Sequence, residues 1–244
     1  MPSSGRQGDP EAVSSASPGI PPHPWPALTR KDHSFFRIGF QNVNGFPSKS
    51  GDYKDLQLHE LLQQYHFQVF GMVETNVYWP KTPFPERLPS RIKRWFQQIH
   101  VSVAHNTNEH PTTTSQRGGT ALISKDQAAL RVMDSGKDPT NLGRWVWTRF
   151  RGKNHLTLRV VVAYRPTKSR GPTTVYAQQR RYFLNKLQQK CPRKAFITDL
   201  AKAIKHWQQT NDQILLMVDA NEDTQSGKLF QAALRCTMYL VDNG

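Results

Sequence analysis

The residues best placed to do chemistry lie in the stretch Ile214 to Asp223, Ile-Leu-Leu-Met-Val-Asp-Ala-Asn-Glu-Asp. Five apolar residues bounded by turn formers read as a strand buried on both faces, with Asp219 and Asn221 at its C-terminal end. Two apart in extended chain, they project to the same side. A carboxylate and an amide oxygen so placed suit a hard divalent cation such as Mg²⁺, or a phosphate ester. The competing reading is a turn in which Asp and Asn cap the next helix, the commoner role for such a pair in isolation.

Three other apolar runs end in the same way. Phe36, Ile38 and Phe40 alternate with polar or small residues and lead into Asn42-Val43-Asn44-Gly45, where Asn-Gly marks a turn. Phe67 to Val73 ends on Glu74-Thr75-Asn76. Leu156 to Ala163 closes on Tyr164-Arg165-Pro166-Thr167, and pairs with the alternating run Trp145 to Phe150 as an antiparallel hairpin. In layered α/β folds, ligands gather outside the carboxyl ends of strands, so four polar strand ends define one candidate site.

The elements that must position these ends are read from periodicity. Residues 52–66 carry Leu56, Leu62 and Tyr65 at helical spacing. Gly118-Gly119 opens a strand over Thr120 to Ser124 as a permissive turn. The proline-rich region 78–115 predicts long loops around strands near Trp95 to Val103. Tyr176, Phe183, Leu184 and Leu187 share a face of one helix, and Ile197, Leu200, Ala201, Ile204 and Trp207 a face of the next. Another short helix is expected over Lys228 to Cys236.

Composition bounds the class. The 244 residues, 36% of them hydrophobic, suffice for one α/β core. Residues 1–34 hold seven of the 17 prolines and little to bury, which predicts a flexible leader, and Pro21-Pro22-His23-Pro24-Trp25-Pro26 reads as linker. No apolar run approaches a membrane span, no signal-peptide pattern opens the chain, and no feature points to a protein partner. Two cysteines are too few for a disulfide framework or a zinc site. Lys and Arg outnumber Asp and Glu 33 to 18, a charge of +15 that favours an anionic partner, nucleic acid first. Part of that charge lies on the two helices, at Arg180, Arg181, Lys186, Lys190, Arg193 and Lys194. These six read as a solvated face or a nucleic-acid surface.

In order and wording, Gln-Asn-Val-Asn-Gly, Val-Glu-Thr-Asn, Ala-Tyr-Arg-Pro and Val-Asp-Ala-Asn resemble the endonuclease/exonuclease/phosphatase superfamily, from Phe35 to Gly244. The Gly-Gly-Thr-Ala-Leu-Ile-Ser stretch resembles its retrotransposon branch, the apurinic-endonuclease-like nucleases of non-LTR elements. The resemblance implies a four-layer α/β sandwich, two central mixed sheets flanked by helices. It implies a Mg²⁺-dependent phosphodiesterase, with Mn²⁺ as a substitute, acting on DNA. Residue by residue, Glu74 is the implied principal Mg²⁺ ligand and Asn42 its polar neighbour. Asp219 orients or deprotonates water, and Asn221 and Tyr164 contact the scissile phosphate. Asn44, Arg165, Thr167, Lys168 and Arg170 are candidate substrate contacts.

The sequence departs from this pattern in three places. No histidine follows His206, so the closing acidic strand end and Asp-His pair are expected to be missing with the last strands, leaving an inner edge unpaired. Asn44 stands where many relatives have Asp, and Thr167 where apurinic endonucleases often have Asn. Two alternatives therefore stand beside the DNA nuclease: a non-catalytic nucleic-acid-binding remnant, and a phosphoesterase for inositol phosphates, sphingomyelin or poly(A). A retroelement nuclease would work on nuclear DNA, although no basic import cluster stands out. If Lys168 and Arg170 follow a DNA backbone, affinity for duplex DNA falls steeply between about 50 and 200 mM salt. A binding titration that is flat in salt would remove the phosphate contacts.

Overall fold

The computed structural model describes residues 36–223, Gly227 and 239–241. The leader 1–34 and the helix expected at 228–236 lie outside the described residues. One sheet contains β1 (Ile38–Asn42), β2 (Val69–Val73), β3 (Ile99–Ala104) and β4 (Thr120–Lys125), in the order β1-β2-β4-β3. The other runs in sequence order through β5 (Val132–Lys137), β6 (Trp145–Arg151), β7 (Thr157–Tyr164), β8 (Asp212–Asp219) and β9 (Tyr239–Val241). Both are mixed: β1 is parallel to β2, and β7 to β8, while β4 and β6 run antiparallel to their neighbours. The helices are α1 (Tyr53–Gln64), α2 (Leu88–Trp95), α3 (Gln127–Leu130), α4 (Val175–Asn185) and α5 (Pro192–Gln209).

The period of two along each strand divides the core. Phe40, Val69, Val73 and Leu122 of the first sheet meet Val146, Val160, Val162 and Met217 of the second in one apolar layer. The alternate residues of the second sheet, Trp145, Val161, Leu216 and Val218 among them, pack against Phe196, Leu200 and Ile204 of α5. On the far side, α1 buries Leu58, Leu61 and Leu62, and a narrow cleft lined by Leu58, Leu61, Gln41 and Met72 separates it from β1 and β2. Helix, sheet, sheet and helix make the four layers that the resemblance implied. The sheets approach closely at Gly71, where an added Cβ would sit 2.6 Å from Val162 Cγ2 and 2.8 Å from Met217 Cε.

Several expectations need correction. The residues around Trp95 form the end of α2 rather than a strand, because Pro89 sits in the helix's first turn, where proline is tolerated. Leu56 is 58% exposed, and Leu58 and Leu61 take the core positions of α1. Leu184 and Leu187 also face solvent, while Gln178, Gln179 and Phe183 form the inner face of α4. β5 is half-exposed, and its apolar alternation is too weak to mark a strand in the sequence. β9 pairs in parallel with β8 at Leu215–Met217, so the edge expected to be unpaired beside β8 is covered there.

The stacking makes a test. Gly71→Val forces a branched side chain between the sheets and is expected to cost about 1–3 kcal/mol in urea unfolding. Leu56→Ala at the exposed site should stay within about 0.5 kcal/mol of wild type. Equal effects would contradict the assignment of the two faces.

Candidate active site at the converging strand ends

Parity and parallel pairing bring the site together. β1 and β2 finish side by side in one sheet, β7 and β8 in the other. Asn42 shares its strand face with Ile38 and Phe40, Tyr164 with Val160 and Val162, and Asp219 with Leu215 and Met217, all on the layer between the sheets. At the end of that layer Asn42 Nδ2 donates to Asp219 Oδ2 at 2.7 Å, the two residues 177 apart in the chain. The Tyr164 hydroxyl bonds to Glu74 and Asn221. Burial, then the hydrogen bond to Glu74, raises the Tyr164 phenol far above its ordinary range, so it stays a protonated donor at any working pH.

The backbone beyond each strand turns sharply. Asn44, Glu74, Asn76 and Asn221 have positive φ, between 41° and 54°. Such values are uncommon outside glycine, and for a glutamate in particular they indicate a conformation enforced by its surroundings. The support is visible. Asn76 N donates to Gly118 O, and Gly118 N to Asn76 Oδ1 at 2.7 Å, so the Gly118-Gly119 turn carries the Glu74 loop. Gly119 allows a close approach there, since a Cβ on it would lie 2.6 Å from Thr75 Oγ1. Lys54, from the first turn of α1, donates to the carbonyls of Val43, Asn44 and Gly45 at 2.8, 3.0 and 2.8 Å.

After β8, Asp219 and Asn221 form a turn. Asn221 N donates to Asp219 Oδ1 at 3.2 Å, a side-chain-closed turn, and the chain is no longer extended at Asn221. The Asn221 side chain still reaches the site, with Nδ2 on Arg165 O at 2.7 Å. Arg193 of α5 ties the two loops together through Pro166 O at 2.7 Å and Asn221 O at 2.9 Å.

Asn42, Glu74, Tyr164, Asp219 and Asn221 are thus linked through hydrogen bonds. Asn44 gives its backbone N–H to Asn42 Oδ1 at 2.9 Å, and its side chain is exposed. Thr167 and the cations Lys168 and Arg170 are exposed on the segment leaving β7. Arg165 is turned inward, 5% exposed, and ion-paired to Glu222, so its charge serves the loop rather than solvent. Lys54, Asn76 and Arg193 were missed as supports. Asn76 stood beside a recognised motif, whereas Lys54 and Arg193 act on backbone carbonyls, which leave no side-chain pattern in a sequence.

Among the described residues no group of three or more His, Cys, Asp or Glu is placed to hold a metal. The donor set nonetheless fits Mg²⁺, which takes one or two protein oxygens and fills its shell with water and substrate. Glu74 offers a hard carboxylate. Asn42 offers an amide oxygen, oriented because Asp219 holds its Nδ2 and Asn44 N its Oδ1.

Residues 39–197 match the sequence profile of the Endonuclease/Exonuclease/phosphatase family. No curated protein matches the sequence. Among solved structures, an AP endonuclease from Archaeoglobus fulgidus is similar at 16% identity and a TM-score of 0.49, over 83% of this chain and 70% of that one. The 3′ phosphatase NExo from Neisseria, bound to a product DNA hairpin, is similar at 14% identity and a TM-score of 0.50, over 83% and 71%. ANGEL2, a 2′,3′-cyclic phosphatase, is similar at 11% identity and a TM-score of 0.50, over 80% of this chain and 55% of that one. At these identities the likeness is one of fold.

Arg193→Ala removes charge-assisted bonds to two site carbonyls and is expected to cost about 1–3 kcal/mol by denaturant unfolding. Arg180→Ala, from the exposed basic face, should change stability by less than about 0.5 kcal/mol. Indistinguishable variants would show that Arg193 does not brace the loops.

Proposed function

The chain belongs to the endonuclease/exonuclease/phosphatase family, whose members are hydrolytic phosphoesterases, and from that premise we propose that it hydrolyses phosphodiesters in DNA with Mg²⁺ at the strand ends. The observation that carries this reading is the Asn42–Asp219 hydrogen bond, which joins the polar ends of two different sheets. A turn or a helix cap has no need of a partner 177 residues away.

The residues divide the work of in-line displacement. Asp219, its two oxygens held by Asn42 Nδ2 and Asn221 N, orients the attacking water and accepts its proton as the new O–P bond forms. Tyr164, kept protonated by burial, and the Asn221 amide donate to the non-bridging oxygens as charge builds on them. Glu74 and Asn42 would hold the metal, which supplies charge neutralisation at the phosphoryl group. The departing oxygen takes a proton from water.

Lys168 and Arg170, exposed just beyond Tyr164, are the cations that would lie along the strand being cut. The net charge of +15 supports a polyanionic substrate over a small ester. The Gly118-Gly119 turn under the Glu74 loop is the feature shared in wording with retroelement nucleases, and supports that origin.

A second reading, a nucleic-acid-binding remnant without turnover, draws on the same charge of +15. Nicking of supercoiled plasmid separates the two. Mg²⁺-dependent nicking by wild type, reduced at least about 100-fold in Glu74→Ala and Asp219→Ala variants that remain folded, is the expected result. Tight DNA binding with no metal-dependent nicking would overturn the enzyme and leave the remnant. Faster release of phosphate from a phosphoinositide than cleavage of DNA would overturn the substrate class alone.

A further inference from the structure

A cavity of about 610 Å³ opens on the outer face of the second sheet, between β5–β6 and helices α4–α5. None of the strand-end side chains lines it. Its volume falls within the usual range for small-molecule sites, and three features of its walls bear on what it would hold.

The first is rigidity. Arg144, with its side chain fully buried, donates to Asp138 at 2.6 and 2.9 Å and to Asp199 at 2.9 Å, and lies 4.6 Å over the Trp145 ring. A fully partnered buried network of this kind fixes the wall before any ligand arrives. The second is an aromatic surface. Trp147 and Trp207 line the cavity with ring centroids 5.7 Å apart, and Trp145 lines it as well. Trp145 is 1% exposed and forms the floor of this wall. The third is charge. Lys137, Lys190 and Lys202 stand exposed at the rim. Counting Lys137, Arg144, Lys190 and Lys202 against Asp138 and Asp199 leaves the lining at +2.

A flat ring to lie on indole and an anionic group for lysines are together the chemistry of a nucleotide. We propose that this cavity is a nucleotide site separate from the strand-end centre, taking the base against the tryptophans and the phosphate at the lysine rim. The same chemistry is offered by a free mononucleotide and by one unpaired nucleotide of a nucleic-acid strand. The assignment does not depend on the chain being a phosphodiesterase.

The test is equilibrium binding to the full chain carrying Glu74→Ala, without metal, so that turnover at the strand ends plays no part. AMP is expected to bind one per chain and at least tenfold more tightly than adenosine or inorganic phosphate. Lys202→Glu, at an exposed position of α5, is expected to weaken AMP at least fivefold while leaving the melting temperature unchanged. Lys190→Glu serves as a second variant on a different segment. A short oligodeoxyadenylate run beside AMP tells the sources apart: tighter AMP assigns a free nucleotide, and a tighter oligonucleotide assigns a strand. AMP no tighter than phosphate, or binding indifferent to both lysine variants, overturns the proposal.

Discussion

The hydrogen bond from Asn42 to Asp219 exists because two sheets stack closely enough for side chains of one to touch those of the other at their shared end. That closeness is set in the middle of the layer, where Gly71 leaves room for Val162 and Met217. A larger residue there would wedge the sheets apart, and the strand ends would separate with them. Fold and site are therefore one problem. The apolar layer supplies the force that presses the sheets together, and the polar ends are what that layer carries to its rim.

Once the ends meet, much of their orientation comes from loops braced at the backbone. Lys54, Asn76 and Arg193 each bond to main-chain carbonyls of the site, or to the glycine turn beneath it. Positive φ at Glu74 and Asn221 is held by these braces and by the hydrogen bonds the two side chains make. Site residues that must present fixed geometry are generally held in this way, by neighbours that never touch the reacting group.

Much of this was legible in the sequence, for a physical reason. An apolar run that ends abruptly on Asn, Glu, Tyr or Asp states both where a strand stops and what it presents, so Asn42, Glu74, Tyr164 and Asp219 could be read one strand at a time. The inward parity of Asn42, Tyr164 and Asp219 follows from the period of two, whereas Glu74 lies beyond β2 at a positive φ. What could not be read was anything set by tertiary packing. Leu56 and Leu58 are equally apolar, and only the packing of α1 puts the second inside. Arg165 reads as a substrate contact and Arg193 as part of a solvated or nucleic-acid-binding face, yet one is buried against Glu222 and the other grips two carbonyls. α2 was hidden because its proline could equally have marked a loop.

The claim that these strand ends form a single metal-dependent centre is open to a direct measurement that needs no substrate. Mn²⁺ bound to the purified chain can be counted by electron paramagnetic resonance, with Glu74→Ala and Lys168→Ala measured alongside. One Mn²⁺ per chain, weakened at least about tenfold by Glu74→Ala and unchanged by Lys168→Ala, is the expected result. No bound Mn²⁺, or binding that ignores Glu74, would contradict the metal centre while leaving the fold as described.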